Sequence, residues 1–348
     1  MTTADRQRNG VISAGTWALD RIKLIDGWPQ EEHLAKITAT DRQGGGSGYN
    51  LAIDLRKLDS SIPVEAIGLI ANDADGEYLL QQAQAIGINT AQLHRTDKAG
   101  TSFTDVMSDT TNGKRTFFHF PGTSDLLCPD HFDFKSCNGR ILHLGLLGLH
   151  KTMDSAWREY DNGWVAVLAA AKADGIATNL ELVSIPEARI QSIATPCLAY
   201  LDTLIVNEYE LGALAAAKVC DAQGVVQADL CLQAARTVLS MGTMSLVVVH
   251  HPGGAIAVTD DGDTRNVSSF EVDPGWIKSA VGAGDAFTAG MLYGMHQSWS
   301  LDNSLELAHA VAAASLRSST TVGSVESAQA CLAFARHASL PKTDQELV

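Results

Sequence analysis

The stretch Ser279-Ala280-Val281-Gly282-Ala283-Gly284-Asp285-Ala286-Phe287, continuing into Thr288-Ala289-Gly290, decides how the rest of this chain is read. Two glycines flank an alanine, and an aspartate then opens an apolar segment of helical period. Backbone amides in such a turn can converge on an anion, assisted by the positive end of the helix they begin. A carboxylate beside an anion trap repels phosphate, so it is poorly suited to hold one. It is well suited to take the proton of a hydroxyl that attacks a phosphoryl group seated in the trap. The turn therefore points to phosphoryl transfer onto an alcohol. Two other readings stand beside this one. Asp285 could act only as a helix N-cap, a position that aspartate favours. A dinucleotide fingerprint would need an apolar strand before the first glycine, and Pro274-Gly275-Trp276-Ile277-Lys278-Ser279 is not one.

Composition narrows the class. With 348 residues, 45% apolar and 19% charged, the chain has the makeup of a large globular protein. Its net charge is −15 and its lysines and arginines form nothing longer than pairs, which argues against nucleic acid or an anionic membrane as partner. An anionic substrate would need a local cation to offset that field. Cys128, Cys137, Cys197, Cys220, Cys231 and Cys331 are scattered without a CxxC pair, as expected of reduced thiols. Met1 to Gly10 is polar and lacks the apolar stretch of a signal peptide, and no apolar run is long enough for a membrane span. A soluble, cytoplasmic protein is expected.

Short apolar or β-branched runs alternate with longer segments of helical period, which predicts a largely parallel sheet covered by helices. The predicted strands include Val64-Ile70, Arg140-Leu144, Thr203-Val206, Ser245-His250 and Ala255-Thr259. The predicted helices include Asn50-Leu58, Glu77-Ile86, Trp157-Ala173, Glu208-Ala217, Leu230-Ser240, Asp285-His296 and Asn303-Arg317. Ala286, Gly290 and Gly294 share one helical face and predict close packing on a neighbour. One segment departs from the alternation. Thr101 to Asp109 and Lys114 to Phe120 read as a hairpin about Thr110-Thr111-Asn112-Gly113. With the segment near Leu24 to Thr40 it could form a small sheet carrying Phe103, Phe117, Phe118 and Phe120, which either covers a ligand, pairs with another subunit, or packs on its own body.

Other motifs fall into order around the turn. Gly44-Gly45-Gly46-Ser47-Gly48-Tyr49-Asn50-Leu51-Ala52 is a second glycine-rich element, and Asp20 follows Gly15-Thr16-Trp17-Ala18-Leu19. Gly68, Asp73 and Gly76 form a third, and Asn207-Glu208-Tyr209-Glu210 follows an apolar strand. Asp20 and Asn50 offer acceptors and a donor suited to neighbouring sugar hydroxyls, while Gly45 and Gly46 let a ligand approach the backbone. Asp20 could instead be a strand-end turn residue and Asn50 a helix cap.

The ordered set, spanning almost the whole chain, resembles the ribokinase-like (PfkB-type) carbohydrate kinase family. The resemblance implies one α/β domain over residues 1–348, with a mostly parallel sheet, helices on both faces and a small β-sheet lid built from about 21–45 and 100–121. It implies an ATP-dependent kinase acting on a hydroxyl of a sugar or sugar derivative. Asp285 would be the general base, and the amides of Gly282, Ala283 and Gly284 the anion hole. Asp20, sited at the end of the first strand, would bind substrate with Gly45, Gly46 and Asn50, and Phe118 could wall the pocket. Asn207, Glu210, His251, Gly253 and Gly254 would bind the nucleotide, with Glu210 holding Mg2+ through water. A homodimer formed through the lid is implied as well.

Departures from the family pattern bear on these roles. Ser279-Ala280-Val281 stands where the family has Asp-Thr-x, which puts a monovalent-cation site in question. His250-His251-Pro252-Gly253-Gly254 stands where Thr-x-Gly-x-x-Gly is common. Neighbouring histidines on a strand point to opposite sides, which disfavours a metal site there. Asn179-Leu180-Glu181 lies where the family often has an Asp-containing turn and is given no catalytic role. Asp285 is expected to be ionised at neutral pH, as an unperturbed carboxyl of pKa about 3.9 would be. A nucleoside kinase, its base pocket walled by Phe103 or Phe118, and a non-catalytic nucleotide or sugar sensor are the alternatives. Arg115 and Lys114 would serve a sugar-phosphate substrate, or else are solvated hairpin charges.

Overall fold

Runs rich in Val, Ile and Leu become strands whose alternate side chains are buried on both faces, and each face then needs helices to cover it. The computed structural model describes residues 8–112 and 114–338, so Met1 to Gln7 and the Gly113 of the predicted turn lie outside the described residues. In chain order the strands are β1 (Val11–Gly15), β2 (Ala18–Ile25), β3 (Ile37–Gly45), β4 (Val64–Ala71), β5 (Asn89–Thr96), β6 (Phe103–Asp109), β7 (Arg115–Phe120), β8 (Ile141–Leu147), β9 (Ala177–Leu182), β10 (Thr203–Asn207), β11 (Leu246–His251), β12 (Gly254–Thr259) and β13 (Thr264–Ser268). The helices are α1 (Ser47–Leu58), α2 (Ala74–Ala85), α3 (Gly163–Ala173), α4 (Glu187–Ala194), α5 (Glu208–Ala215), α6 (Ala228–Leu239), α7 (Ala283–His296), α8 (Leu301–Ser315) and α9 (Ala328–Ala338).

Nine strands form the large sheet in the order β13-β12-β11-β10-β9-β8-β1-β4-β5. From β11 to β5 all pairings are parallel, and β12 and β13 add an antiparallel edge. Val11 points into a core formed with α1, α2, α7, α8 and α9, and its neighbour Ile12 into a second core formed with α3 to α6. That alternation is the strand period at work. Close packing of α7 holds as predicted: a Cβ on Gly290 would lie 2.6 Å from Ala308 Cα, and one on Gly294 2.3 Å from Ser304 Oγ. Among the described residues no helix is long and apolar enough to cross a membrane.

The second sheet has the order β3-β2-β6-β7, with β6 and β7 the expected hairpin. It begins earlier than foreseen. The chain passes from β1 through Thr16 and Trp17 directly into β2, so Asp20 sits inside β2, paired with Gln43 and Thr104, and not at the end of the first strand. The helix expected from Trp157 starts only at Gly163, because Asn162 caps it by accepting from Val165 N, while Trp157 and Tyr160 bridge to each other.

Candidate active site

The carboxyl ends of parallel strands are where an open α/β sheet binds its ligands. Here the ends of β9, β10 and β11 meet the first turn of α7. Gly282 is the residue before the helix, at φ +85, a left-handed conformation, and a Cβ there would lie 2.8 Å from Thr321 Cα. Only glycine satisfies both demands. Asp285 is the third residue of α7, so it is not the N-cap. Of the three amides expected to hold an anion, that of Ala283 is already donated to Ala280 O at 3.2 Å. Those of Gly282 and Gly284 have no partner among the described residues, as the opening turn of a helix leaves its amides free. The Ala283 amide, expected to meet an anion, is therefore already engaged within the chain.

Around Asp285 the chain gathers polar groups from distant segments. Asn50, buried in the first turn of α1, donates through Nδ2 to Asp285 Oδ2 at 2.7 Å, and its Oδ1 accepts from Thr321 Oγ1 at 2.9 Å. It lies within the helix and caps nothing. Glu181, near the end of β9, is the carboxylate whose charge acts most strongly on Asp285. Behind it, His143 Nε2 lies 2.8 Å from Glu181 Oε2 but off the line of a hydrogen bond, and His143 Nδ1 accepts from Asn179 Nδ2 at 2.9 Å. Burial and then the charge of Glu181 push the Asp285 carboxyl well above the ordinary carboxylate range. The expectation of an unperturbed acid at this position is corrected on those two grounds. Burial raises Glu181 to about 7, and burial together with the charge of Asp285 raises Asp20 to about 7, with Arg115 opposing. Burial also depresses His143 to about 4, which keeps its ring neutral.

The glycines before α1 do admit a close approach, but by the protein itself. A Cβ on Gly45 would fall 2.5 Å from Asp20 Oδ2, and one on Gly46, at φ +85, 2.6 Å from Thr16 Cγ2. Their role is to let β2 lie tight against the loop so that Asp20 reaches the cleft. The register of the small sheet decides which side chains face Asp20. Thr104, Val106, Ser108, Arg115, Phe117 and His119 share its face, whereas Phe118 is on the opposite one, its ring stacked on Trp28 with centroids 6.3 Å apart. Phe118 as a pocket wall is thus corrected. Arg115 is not a solvated hairpin charge either: it is half-buried and donates to Ser279 Oγ at 2.8 Å and Ser319 O at 3.3 Å.

On the far side of the α7 turn lies a cavity of about 1110 Å³, lined among others by Asn207, His250, His251, Gly253, Gly284 and Phe287. Both adjacent histidines reach it: His250 packs on Phe287 at 5.1 Å between centroids, and His251 Nδ1 accepts from Gly253 N at 3.2 Å. Gly254 belongs to β12, and a Cβ there would meet Val267 O at 2.3 Å, so its close contact is with β13. Asn207 and Glu210 form a reciprocal cap on α5: Glu210 N donates to Asn207 Oδ1 at 2.9 Å, and Asn207 N to Glu210 Oε2 at 3.1 Å. Glu210 is buried, and that burial raises its pKa, so it is no solvated helix carboxylate.

Whether these groups suit Mg2+ can be judged from their chemistry. Among the described residues no three His, Cys, Asp or Glu side chains close on a common point. Mg2+ does not need that, since it keeps several waters and takes one or two carboxylates plus substrate phosphates. The charge of Glu210 adds to the rise of Glu181, and that of Glu181 to the rise of Asp285, a field that a divalent cation would relieve. The residues fit.

Sequence reasoning considered Glu181 and His250 but gave them no role, and it did not single out His143 or His309. His250 and His309 line the cavity on either side of Phe287. The rule that ligands collect at strand ends would have drawn attention to Glu181 and His250.

Comparison with known proteins adds the family. The model of the pfkB family carbohydrate kinases matches residues 11–328. The 5-dehydro-2-deoxygluconokinase of Clostridium beijerinckii is 24% identical over 298 residues, covering 80% of each chain. The ATP-dependent ribose-1-phosphate kinase of Halopiger xanaduensis is 24% identical over 308 residues, covering 87% of this chain and 90% of its own. Among solved structures, Arabidopsis thaliana ribokinase complexed with ribose and ATP superposes with a TM-score of 0.76 at 19% identity, over 94% of this chain and 99% of the other.

Proposed function

The chain belongs to the pfkB family of carbohydrate kinases and phosphorylates a sugar or sugar derivative at the expense of ATP, and we propose that Asp285 is its general base. The observation that carries this reading is the position of that carboxyl. It stands in the first turn of α7, fixed by Asn50 and within reach of the charge of Asp20, next to Ala283 and Gly284, which line the large cavity, and beside the free amides of Gly282 and Gly284. ATP occupies the cavity with its terminal phosphate at those amides. The acceptor lies on the Asp20 side, where Asp20 and Asn50 bind its hydroxyls. Asp285 removes the proton of the attacking hydroxyl, and the amides stabilise charge on the transferring phosphoryl group. Mg2+, held by Glu210 through water, would neutralise the phosphate oxygens. Asn207, His251 and Gly253 contact the nucleotide.

One ribokinase-like domain carries the activity, and its small sheet is the lid that excludes water from the reaction. The aromatic residues Trp28, Phe118 and Phe120, each more than 40% exposed on the face opposite Asp20, support a homodimer joined through that sheet. The six free thiols support a reducing compartment, the cytoplasm. ADP release over a panel of sugars, sugar acids, sugar phosphates and nucleosides tests the reading. Turnover of a sugar or its derivative is expected, and turnover of nucleosides alone, or of nothing, overturns it.

A further inference from the structure

Arg115 is the only lysine or arginine among the strand residues that the pairing register puts on Asp20's face of the small sheet. Arg21, Lys23 and Arg42 are all on the other. Beneath Arg115 a cavity of about 310 Å³ opens between the small sheet and the body, lined also by Ile22, Leu24, Ser108, Lys278 and Ser319. Burial lowers the basicity of the guanidinium, with the charge of Asp20 opposing, and its hydrogen bonds go to a hydroxyl and a carbonyl, both neutral. No carboxylate lies within ion-pair distance of it among the described residues. Asp41 and Asp109 also line the cavity; both oxygens of Asp109 are engaged elsewhere, and one of Asp41. Asp109 accepts from Thr111, Asn112 and the amide of Trp28, and Asp41 from the amide of Arg42.

A half-buried arginine costs solvation that its neutral partners only partly return, and its planar fork of five donors suits a carboxylate or a phosphate. In a chain of net charge −15, an anionic acceptor could be held only against such a local cation. We infer, resting on the kinase reading above, that this corner is a subsite for an anionic group carried by the acceptor sugar, a carboxylate or a phosphate. Arg115 grips it and Lys278 flanks it. The acceptor then runs from the anion at Arg115, past hydroxyls at Asp20, to the attacking hydroxyl at Asp285. Ser279 Oγ, which accepts from Arg115, also accepts from Val281 N at 3.0 Å, so the subsite is tied to the segment entering the anion turn. Filling it draws the small sheet toward the reacting groups.

The test compares, at saturating ATP, the neutral sugar, the sugar acid and the sugar phosphate of matched rings, in the full chain and in Arg115→Gln and Arg115→Lys. The anionic members should lead the neutral one in kcat/KM. Arg115→Gln should cut that lead by about 10- to 100-fold, the worth of a charge-assisted contact, and Arg115→Lys should keep part of it. Which anionic arm leads tells a carboxylate from a phosphate. Protection against thermal unfolding by the same compounds, and its loss in Arg115→Gln, reads binding even if nothing turns over. That separates failure here from failure of the kinase reading. A neutral sugar preferred or protecting equally overturns the subsite. So does an Arg115→Gln variant that weakens binding of a non-hydrolysable ATP analogue and slows all acceptors alike, since the arginine would then serve the donor.

Discussion

Replacing Glu181 by glutamine removes one of two neighbouring acidic groups while keeping its shape. In the native cleft the charge of Glu181 raises Asp285, and a base that must be ionised to act then works only at higher pH. Two unit charges roughly 4 Å apart interact by about 4 kcal/mol at an effective dielectric of about 20, equivalent to about three pH units. Water in an open cleft screens part of this, so the acidic limb of kcat/KM should move down by about one to two units. The sign follows from the direction of the shift. Activity rises as pH climbs through the titration of the pair, and Glu181→Gln lets Asp285 ionise sooner. A glutamine amide can also donate to Asp285 and favours its charged form. The profile is to be measured from about pH 5 to 9 with ATP saturating, in buffers of constant ionic strength. The position of the limb is independent of any loss of amplitude. A limb that stays in place, or moves upward, would refute a base governed by its carboxyl neighbour.

Asp285→Asn should lower turnover by about 10²- to 10⁴-fold while ATP binding, followed by calorimetry, persists. The same substitution, and Asp20→Asn, should raise the melting temperature at about pH 8. A carboxyl raised on folding takes away stability as pH climbs from its unfolded value of about 4 through its folded one, about 7 for Asp20. The advantage of the asparagine variants should therefore shrink to nothing near pH 4, and an advantage independent of pH would contradict it. Gly282→Ala forces φ +85 on a residue with a Cβ and drives that atom to 2.8 Å from Thr321 Cα. A loss of about 1–3 kcal/mol in denaturant titration, with a larger fall in kcat, is expected. Glu210→Gln should raise the Mg2+ concentration for half-maximal rate at fixed ATP, and an unchanged metal titration would remove Glu210 from that role.

What could be read from the sequence was what is local. The turn at 282–285 is a contiguous run, and so is the Asn207 to Glu210 cap, so their geometry follows from neighbours in the chain. Asn50 and Asp20 were found through motifs, but what Asn50 does depends on Asp285 and Thr321, each more than 230 positions away. Glu181 and His143 come from β9 and β8; the strand end marks Glu181 as a candidate, but that it acts on Asp285 is set by α7, distant in the sequence. Phe118 was misplaced for a different reason. Side chains on a strand alternate, so the side that a residue faces depends on a register shifted by one. The same parity turned Arg115 toward the cleft. Ala283 failed as an anion donor because its amide bonds backward to Ala280, a detail set by the left-handed turn at Gly282.

The contact of Gly290 with Ala308 and of Gly294 with Ser304 locks α7 onto α8 with no room for so much as a methyl group. An anvil cannot recoil, and here the anvil holds Asp285. Changes in the outlying small sheet can therefore alter what faces Asp285 while the packing of α7 on α8 stays as it is.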